Sequence, residues 1–241
     1  MTGHISAIEK MAEENIRKWI TATHARERLT AGPLRDNVGP YIAVSRETGA
    51  GGSAIAHRVA EKLAWDVLDK QIVDYLASRY QTPRSLVEFA DEKQISWIED
   101  TFSSWIENQQ FTSATYTYRL AHLLLLAAYH GNVVIVGRGA RFILPRARGV
   151  SVRILAPLDF RIEQVLLREG VSAKVARQMI EDSDRQREVF VKKHFRVDAS
   201  DPHRYDLVIN VGKLVKEDAA DLIVDAARSW MKKSGVSIAK S

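Results

Sequence analysis

The most constraining feature of this chain is the segment 41–65, which reads YIAVSRETGAGGSAIAHRVAEKLAW. A short apolar run from Tyr41 to Val44 leads into a glycine-rich loop, and an amphipathic stretch follows it. Small residues allow backbone N–H groups to close on an anion, and the N-terminus of a helix adds its partial positive charge. The order strand, glycine loop, helix therefore predicts a phosphate-binding site. Its candidate contacts are Gly49, Ala50, Gly51, Gly52, Ser53 and Ala54.

The loop departs from the standard P-loop pattern GxxxxGK[ST]. Arg46 stands at the position of the first glycine, and Gly52 stands at the position of the lysine. We read Ala54 as the residue in the Ser/Thr position, with the hydroxyl of Ser53 one residue before it. The shape of a nucleotide site is thus predicted without its usual cation. Arg46, or an arginine from further along the chain, can supply the missing positive charge.

Composition excludes several classes of protein. The 241 residues suffice for one large domain or two small ones, and the absence of cysteine excludes disulfides, a thiolate nucleophile and a zinc–cysteine site. No apolar run approaches the roughly 18 residues of a membrane span, and the N-terminus lacks a signal-peptide pattern. We therefore expect a cytoplasmic protein with no membrane partner. The net charge of +5 fits either nucleic acid or a phosphorylated small molecule as a partner.

The pattern along the chain predicts three parts. Residues 1–36 are expected to be an N-terminal helical extension, which is a candidate for homodimer formation. Residues 37–232 are expected to form the nucleotide-binding domain, and residues 233–241 a flexible tail. Within the domain, further short apolar runs alternate with helical pattern, which favours a parallel sheet covered on both faces. These runs are Val67–Leu68, which is the weakest, Val133–Val136, Ser151–Leu155 and Leu207–Asn210.

Charged residues follow these runs, and ligands of such sheets bind beyond the carboxyl ends of the strands. Asp69 and Lys70 follow the weakest run, and Arg138 follows the next one between two glycines. The segment 181–196, EDSDRQREVFVKKHFR, is strongly basic. Phosphoryl transfer needs backbone donors, several positive side chains and a carboxylate that orients the acceptor. The sequence therefore favours a phosphoryl-transfer site at this edge of the sheet.

Six segments in order resemble the cytidylate kinase-like family, whose members are P-loop relatives of nucleoside monophosphate kinases. They are SRETGAGGSAIAHRVAEKL, LDKQIVDYLA, DEK at 91–93, VVIVGRGARFIL, ILAPLDFRIEQVLLREG and DPHRYDLVIN, which together span about Tyr41 to Ala226. The resemblance implies an α/β, three-layer P-loop kinase-like fold with a five-stranded parallel sheet and helices on both faces. It also implies a helical substrate-covering region, a lid that carries arginines, ATP and Mg²⁺ as cofactors, and a small nucleotide substrate.

The resemblance also implies roles for individual residues. Asp69 and Arg138 match family residues that contact the acceptor, and Arg138 would grip its phosphate. Arg185 matches the lid arginine that reaches the transferred phosphate, in the motif that begins at Asp182. Arg168 matches a lid arginine near the adenine. We accordingly expect Arg185, Arg138 and Asp69 to be catalytic, and Arg46 and Arg168 to join the glycine loop in binding the nucleotide.

Two further expectations concern positions in and around the loop. The hydroxyl of Ser53 is expected to contact Mg²⁺, directly or through water. Gly139 stands where the family carries an acid after the arginine, which bears on specificity for cytidine. Asp69 has a second interpretation, because an aspartate at this position can cap the helix that begins near Gln71.

Three functions remain open from the sequence. The first is an ATP-dependent phosphotransferase that acts on a nucleoside monophosphate, cytidylate-like, or on a similar small acceptor. The second is a catalytically impaired, nucleotide-binding regulatory protein, which the missing loop lysine and Gly139 favour. The third and weakest is a nucleic-acid-binding module, because the arginines lie at strand ends and not along one basic helix.

Overall fold

The computed structural model describes residues 39–71, 73 and 116–235, together with position 14. The predicted N-terminal helix, the helical pattern over 82–115 with its DEK segment, and the tail beyond residue 235 lie outside the described residues. The domain boundaries at 36 and 232 therefore stay predictions.

Five parallel strands form one sheet in the order β2-β3-β1-β4-β5. They are β1 (Tyr41–Arg46), β2 (Asp66–Leu68), β3 (Val133–Val136), β4 (Gly149–Leu155) and β5 (Leu207–Asn210). The predicted five-stranded parallel sheet is confirmed, and β4 begins at Gly149 where the sequence predicted Ser151. Because β1 is the central strand, the loop that follows it leaves the middle of the sheet's carboxyl edge.

Helices connect the strands and cover the sheet. In chain order they are α1 (Gly52–Leu63), α2 (Tyr116–His130), α3 (Ala140–Ile143), α4 (Leu158–Glu169), α5 (Ala173–Phe195) and α6 (Lys216–Ser234). Short 3₁₀ turns occupy Arg146–Arg148 and Pro202–Arg204. Among the helices in the described part of the chain, none is long and apolar enough to cross a membrane.

The side chains of β1 show why the fold has three layers. Tyr41 and Ala43 pack into a core shared with α2, whereas Ile42 and Val44 pack into a second core shared with α1 and α6. Successive strand residues point to opposite faces, so a strand that is apolar at every position requires helices on both sides. All four side chains are buried, and each large one contributes roughly 1.5–3 kcal/mol when fully buried.

Helices α4 and α5 form a hairpin beside the sheet with a small core of its own. Val165, Ala176 and Ile180 are buried there. Helix α5 begins after Ser172, whose hydroxyl accepts a hydrogen bond from the backbone N–H of Val175. The 23 residues of α5 carry it across the carboxyl edge of the sheet, where its second half faces the glycine loop.

Candidate active site

The loop between β1 and α1 has the backbone shape of a phosphate cradle. Gly49 and Gly51 have φ angles of 84° and 75°, a left-handed conformation that costs other residues about 1–2 kcal/mol. The first N–H groups of a helix have no intrahelical acceptor, and α1 has no side-chain cap. Within the described residues, no recorded hydrogen bond uses the N–H groups of Gly52, Ser53 or Ala54. These donors fit a phosphate of ATP.

Each glycine of the loop lies against a basic residue. A Cβ atom on Gly49 would lie 2.6 Å from the backbone oxygen of Arg161, and one on Gly52 would lie 2.6 Å from the Cβ of Arg46. A Cβ on Gly51 would lie 3.1 Å from the Cε of Lys216. A side chain at Gly49 or Gly52 would collide with these neighbours, and the contact with Cε of Lys216 places that residue's positive charge near Gly51.

Lys216 reaches the loop because α6 packs along α1. Arg58 and Lys62 on α1 form ion pairs of 2.9 and 2.6 Å with Glu217. These pairs hold the start of α6 beside the second half of α1, and the side chain of Lys216 extends from there to Gly51. Sequence reasoning missed Lys216, because 165 positions separate it from Gly51 and no local pattern connects the two.

The position of Ser53 requires a correction to the sequence reading. Counted from Arg46 along the P-loop pattern, the eighth position is Ser53, so Ala54 is not the Ser/Thr equivalent. Ser53 is exposed in the first turn of α1, where its hydroxyl could reach Mg²⁺ held with a phosphate. Its role as a metal ligand stays a prediction.

The side chain of Arg46 extends from the glycine loop to the carboxyl end of β3. It is the last residue of β1, and its Cβ and Cγ lie under Gly52. Its guanidinium lies on Gly137, where a Cβ would overlap the Nη1 atom. Burial, together with the charges of Arg187 and Arg138, lowers the pKa of Arg46 to about 10. Arg46 therefore lies close to two other guanidiniums, and the carboxylates of Asp69 and Asp184 offset only part of their repulsion.

The turn after β3 is strained. Gly137, Arg138 and Gly139 have consecutive φ angles of 78°, 53° and 68°, all left-handed. Arg138 adopts this conformation at a cost of about 1–2 kcal/mol, and such strain is concentrated at functional sites. The N–H of Gly137 donates a 2.9 Å hydrogen bond to the backbone oxygen of Val44, which holds the turn beside β1. The strained turn directs Arg138 into the cavity described below.

Gly139 has a steric reason to lack a side chain. A Cβ there would overlap the ring of Phe195, which is buried at the end of α5. The acid that the family carries at this position cannot fit while the ring stays in place.

An ionic latch joins the glycine loop to α5. The backbone N–H and the hydroxyl of Thr48 each donate a 2.9 Å hydrogen bond to Oδ1 of Asp184. Arg161 on α4 and Arg187 on α5 also donate to this carboxylate, each at 2.6 Å. Arg187 contacts the Thr48 hydroxyl as well. We call these four residues the latch; it places α5 over the loop.

The pKa of Asp184 reflects this environment. Partial burial by itself raises the pKa of the carboxyl, but the hydrogen bonds from Thr48, Arg187 and Arg161 outweigh it. The pKa of Asp184 therefore lies below its ordinary value, and the carboxylate is ionised at neutral pH.

A cavity of about 320 Å³ lies between the ends of β1 and β3, the 137–139 turn and α5. Its basic lining residues are Arg46, Lys70, Arg138, Arg141, Arg153 and Arg187. Its acidic lining residues are Glu47, Asp184 and Glu188, and Phe142 and Phe190 add aromatic rings. The loop glycines adjoin the cavity without lining it, and the side chain of Arg46 belongs to both regions. The excess of positive charge and the two aromatic rings suit an anionic ligand with an apolar part.

A model of the cytidylate kinase-like family matches residues 41–213, which are most of the chain. The chain belongs to the cytidylate kinase-like family. The predicted family and fold are thus confirmed. An uncharacterized protein from Eubacterium ventriosum has a similar structure, with a TM-score of 0.61 and 28% identity over 78% of this chain and 98% of that one.

Relatives with curated names match shorter stretches. A cytidylate kinase from Methanopyrus kandleri is 29% identical over 106 residues, which are 40% of this chain and 55% of the kinase. A uronate isomerase from Corynebacterium glutamicum is 30% identical over 102 residues, which are 42% of this chain and 20% of the isomerase. The chain therefore spans about half or less of the length of these two relatives.

The residues that the family resemblance singled out are only partly brought together. Arg46 and Arg138 meet in the cavity. Asp69 does not line it and instead accepts a 2.9 Å hydrogen bond from the N–H of Gln71, which is the helix cap of the alternative interpretation. Its second oxygen lies 3.9 Å from Nε2 of His57. Contact between Asp69 and an acceptor stays a prediction.

Two predicted lid arginines lie outside the cavity. Arg168 is at the far end of α4, where it is exposed and pairs with the adjacent Glu169 at 2.7 Å. Arg185 is exposed on the outer side of α5, whereas Arg187 faces the cavity. Residues two apart on a helix are separated by about 200°, so both cannot face the same side. In this structure Arg187 therefore lies nearer to the cavity than Arg185, and the catalytic role of Arg185 stays a prediction.

The sequence contained a signal for Arg187. Asp184-x-x-Arg187 repeats the pattern of Asp182-x-x-Arg185 two residues later, so the same segment holds two copies of the lid motif. The sequence alone does not choose between them, because the choice depends on the rotation of α5 against the glycine loop.

Proposed function

We propose that this protein transfers the γ-phosphoryl group of ATP, with Mg²⁺, to a nucleoside monophosphate or a similar small anionic acceptor. The observation that carries the proposal is the convergence of Arg46, Arg138 and Arg187 on one cavity beside the N-terminus of α1. Clustered guanidiniums repel one another, so such a site gains stability when an anion enters it. Membership of the cytidylate kinase-like family supports the same reaction class.

ATP, the phosphoryl donor, binds at the glycine loop. The N–H groups at the start of α1 bind the phosphates of ATP, and the hydroxyl of Ser53 is the residue available to Mg²⁺. When bound there, Mg²⁺ would neutralise part of the phosphate charge. Lys216, which lies on Gly51, adds a cation on the outer side of the loop.

The acceptor lies in the cavity. Arg138 binds its phosphate, Arg187 joins it once released from Asp184 and Thr48, and Phe142 and Phe190 contact its apolar part. The bond between the γ-phosphorus and the bridging oxygen breaks while an acceptor oxygen bonds to the phosphorus, so ATP and acceptor become ADP and phosphorylated acceptor. No side chain forms a covalent intermediate, since positioning and charge stabilisation suffice.

Selectivity for cytidine is not part of the proposal. In the family resemblance an acid follows the arginine of the turn, and here Gly139 packs against Phe195 in its place. The acceptor class is therefore set by charge and by an apolar body, which several nucleotides share.

A second candidate is a nucleotide-binding regulatory protein without turnover. The observation that favours it is the engagement of Arg187 by Asp184 and Thr48, which holds the lid arginine away from a phosphate unless the latch rearranges.

The test is to incubate the protein with ATP, Mg²⁺ and a panel of nucleoside monophosphates and nucleosides, and to measure ADP and phosphorylated product. A reaction without acceptor measures background hydrolysis, and Arg138→Ala serves as the variant with an impaired acceptor site. Acceptor-dependent ADP formation, lost at low acceptor concentration in Arg138→Ala, supports a kinase. Nucleotide binding without product supports the regulatory protein, and binding of neither ATP nor ADP contradicts both.

A further inference from the structure

We propose that Arg46 takes the place of the missing P-loop lysine and contacts the phosphoryl group while it passes from donor to acceptor. This inference rests on the proposed function and assigns one residue within it. The sequence left Arg46 and a lid arginine as equal candidates, and the path of the Arg46 side chain separates them.

Two glycines make room for this side chain. Gly52, at the lysine position of the pattern, would place a Cβ 2.6 Å from the Cβ of Arg46 and 2.9 Å from its Cγ. Gly137, at the end of β3, would place a Cβ on the guanidinium itself. The side chain therefore runs from the start of α1 to the turn that carries Arg138. A phosphoryl group in transfer must lie between these two elements, because one binds the donor and the other the acceptor.

Three other arginines of the cavity donate hydrogen bonds to acceptors within the protein. Arg153 donates a 2.7 Å hydrogen bond to the backbone oxygen of Ala199, Arg141 donates to that of Arg204, and Arg187 is held in the latch. Within the described residues, no hydrogen bond or ion pair is recorded for Arg46. Burial and the like charges of Arg187 and Arg138 lower the pKa of Arg46 to about 10, although the carboxylates of Asp69 and Asp184 act in the opposite direction.

This environment suits a transferring phosphoryl group. Arg46 still carries its charge at neutral pH, since its pKa of about 10 lies well above 7. A guanidinium is planar and can donate two parallel hydrogen bonds to phosphate oxygens. Arg46 therefore supplies a fixed cation between the two phosphates, and it gains or loses no atom in the reaction.

The test compares Arg46→Met and Arg46→Lys with Arg177→Met, which removes the same charge from an exposed position of α5. In Arg46→Met we expect kcat to fall roughly 10³-fold, the low end for an arginine that stabilises phosphoryl transfer. The KM for the acceptor should change far less, since a group acting on the transition state is felt mainly in the rate. Arg46→Lys should recover part of the loss, and Arg177→Met should match the wild-type protein.

Thermal unfolding without ligand distinguishes a catalytic role from a structural one. Removal of one of three repelling charges should leave the melting temperature of Arg46→Met unchanged or higher, and should reduce the shift that Mg-ADP produces. A kcat of Arg46→Met close to wild type overturns the assignment. The assignment is also overturned if Arg46→Met has a lower melting temperature and Arg46→Lys restores that temperature but not kcat. If the wild-type protein shows no turnover with any acceptor, the proposed function fails and this inference fails with it.

Discussion

The latch at Asp184 allows a quantitative test of how α5 is held over the glycine loop. Asp184→Asn keeps the shape of the side chain and removes its charge. The carboxylate is 22% exposed, and Arg161, its partner on α4, is 12% exposed. Breaking a buried ion pair costs about 3–5 kcal/mol, and partial exposure reduces this value. We expect a loss of about 2–3 kcal/mol, which corresponds to a fall in melting temperature of about 4–12 °C for a chain of this size.

The matched control is Asp182→Asn. Asp182 lies on the same helix, is exposed, and accepts a 3.0 Å hydrogen bond from Gln178. A surface change of this kind alters stability by about 0.5 kcal/mol or less. Thermal unfolding at neutral pH, followed by circular dichroism, measures both variants. Equal melting temperatures for Asp184→Asn and Asp182→Asn would show that the latch does not hold α5 against the loop.

The pH dependence of stability in the wild-type protein and in Asp184→Asn tests whether the latch is ionic. The pKa of Asp184 lies below its ordinary value, because the hydrogen bonds from Thr48, Arg187 and Arg161 outweigh the effect of burial. A carboxyl with a lowered folded-state pKa contributes its full stability above the unfolded-state value of about 3.9. That contribution is lost as the pH falls through the folded-state pKa. The difference between the wild-type protein and Asp184→Asn should therefore shrink below about pH 4, and a difference independent of pH would contradict an ionic latch.

Three further outcomes follow from the site. Mg-ADP at 100 times its dissociation constant should stabilise the protein by about 2.7 kcal/mol and raise its melting temperature by about 5–10 °C, and Gly51→Val should abolish this shift. Arg187→Ala should lower turnover by about 10³-fold and Arg185→Ala by little, and steady-state kinetics that show the reverse would restore Arg185 as the lid arginine. Gly139→Asp should destabilise the protein by about 2–4 kcal/mol through overpacking and backbone strain. Phe195→Ala should relieve part of that cost in the double variant, and additive losses would disprove the steric conflict.

The fold could be predicted because its signals are local. Every residue from Tyr41 to Val44 is apolar, and a strand of this kind is stable only between two layers of helices. The short β2 was the weakest prediction because its three residues carry little apolar pattern. Its place in the sheet depends on pairing with β3, where Val67 lies beside Val134. Pairing with β3, and not the local sequence pattern, therefore determines the position of β2 in the sheet.

The site could be predicted only where it depends on the backbone near a strand end. Arg46 ends β1, the glycine loop follows it, and Arg138 comes two residues after β3. Their location could therefore be predicted once the strands were recognised. Residues on the helices were harder to place. The choice between Arg185 and Arg187 depends on the rotation of α5, which Asp184 fixes through contacts made 136 positions away at Thr48. No pattern within the helix contains that information.

The departures of the loop from the P-loop pattern have one physical cause. From the sequence, the arginine at the first glycine position and the glycine at the lysine position are two separate losses. In the structure they are linked, because the Cβ and Cγ of Arg46 occupy the space that a side chain at Gly52 would need. Gly137 belongs to the same change, since its missing side chain admits the guanidinium. Under the proposed role of Arg46, the charge missing at position 52 is supplied from position 46, on the cavity side of the loop.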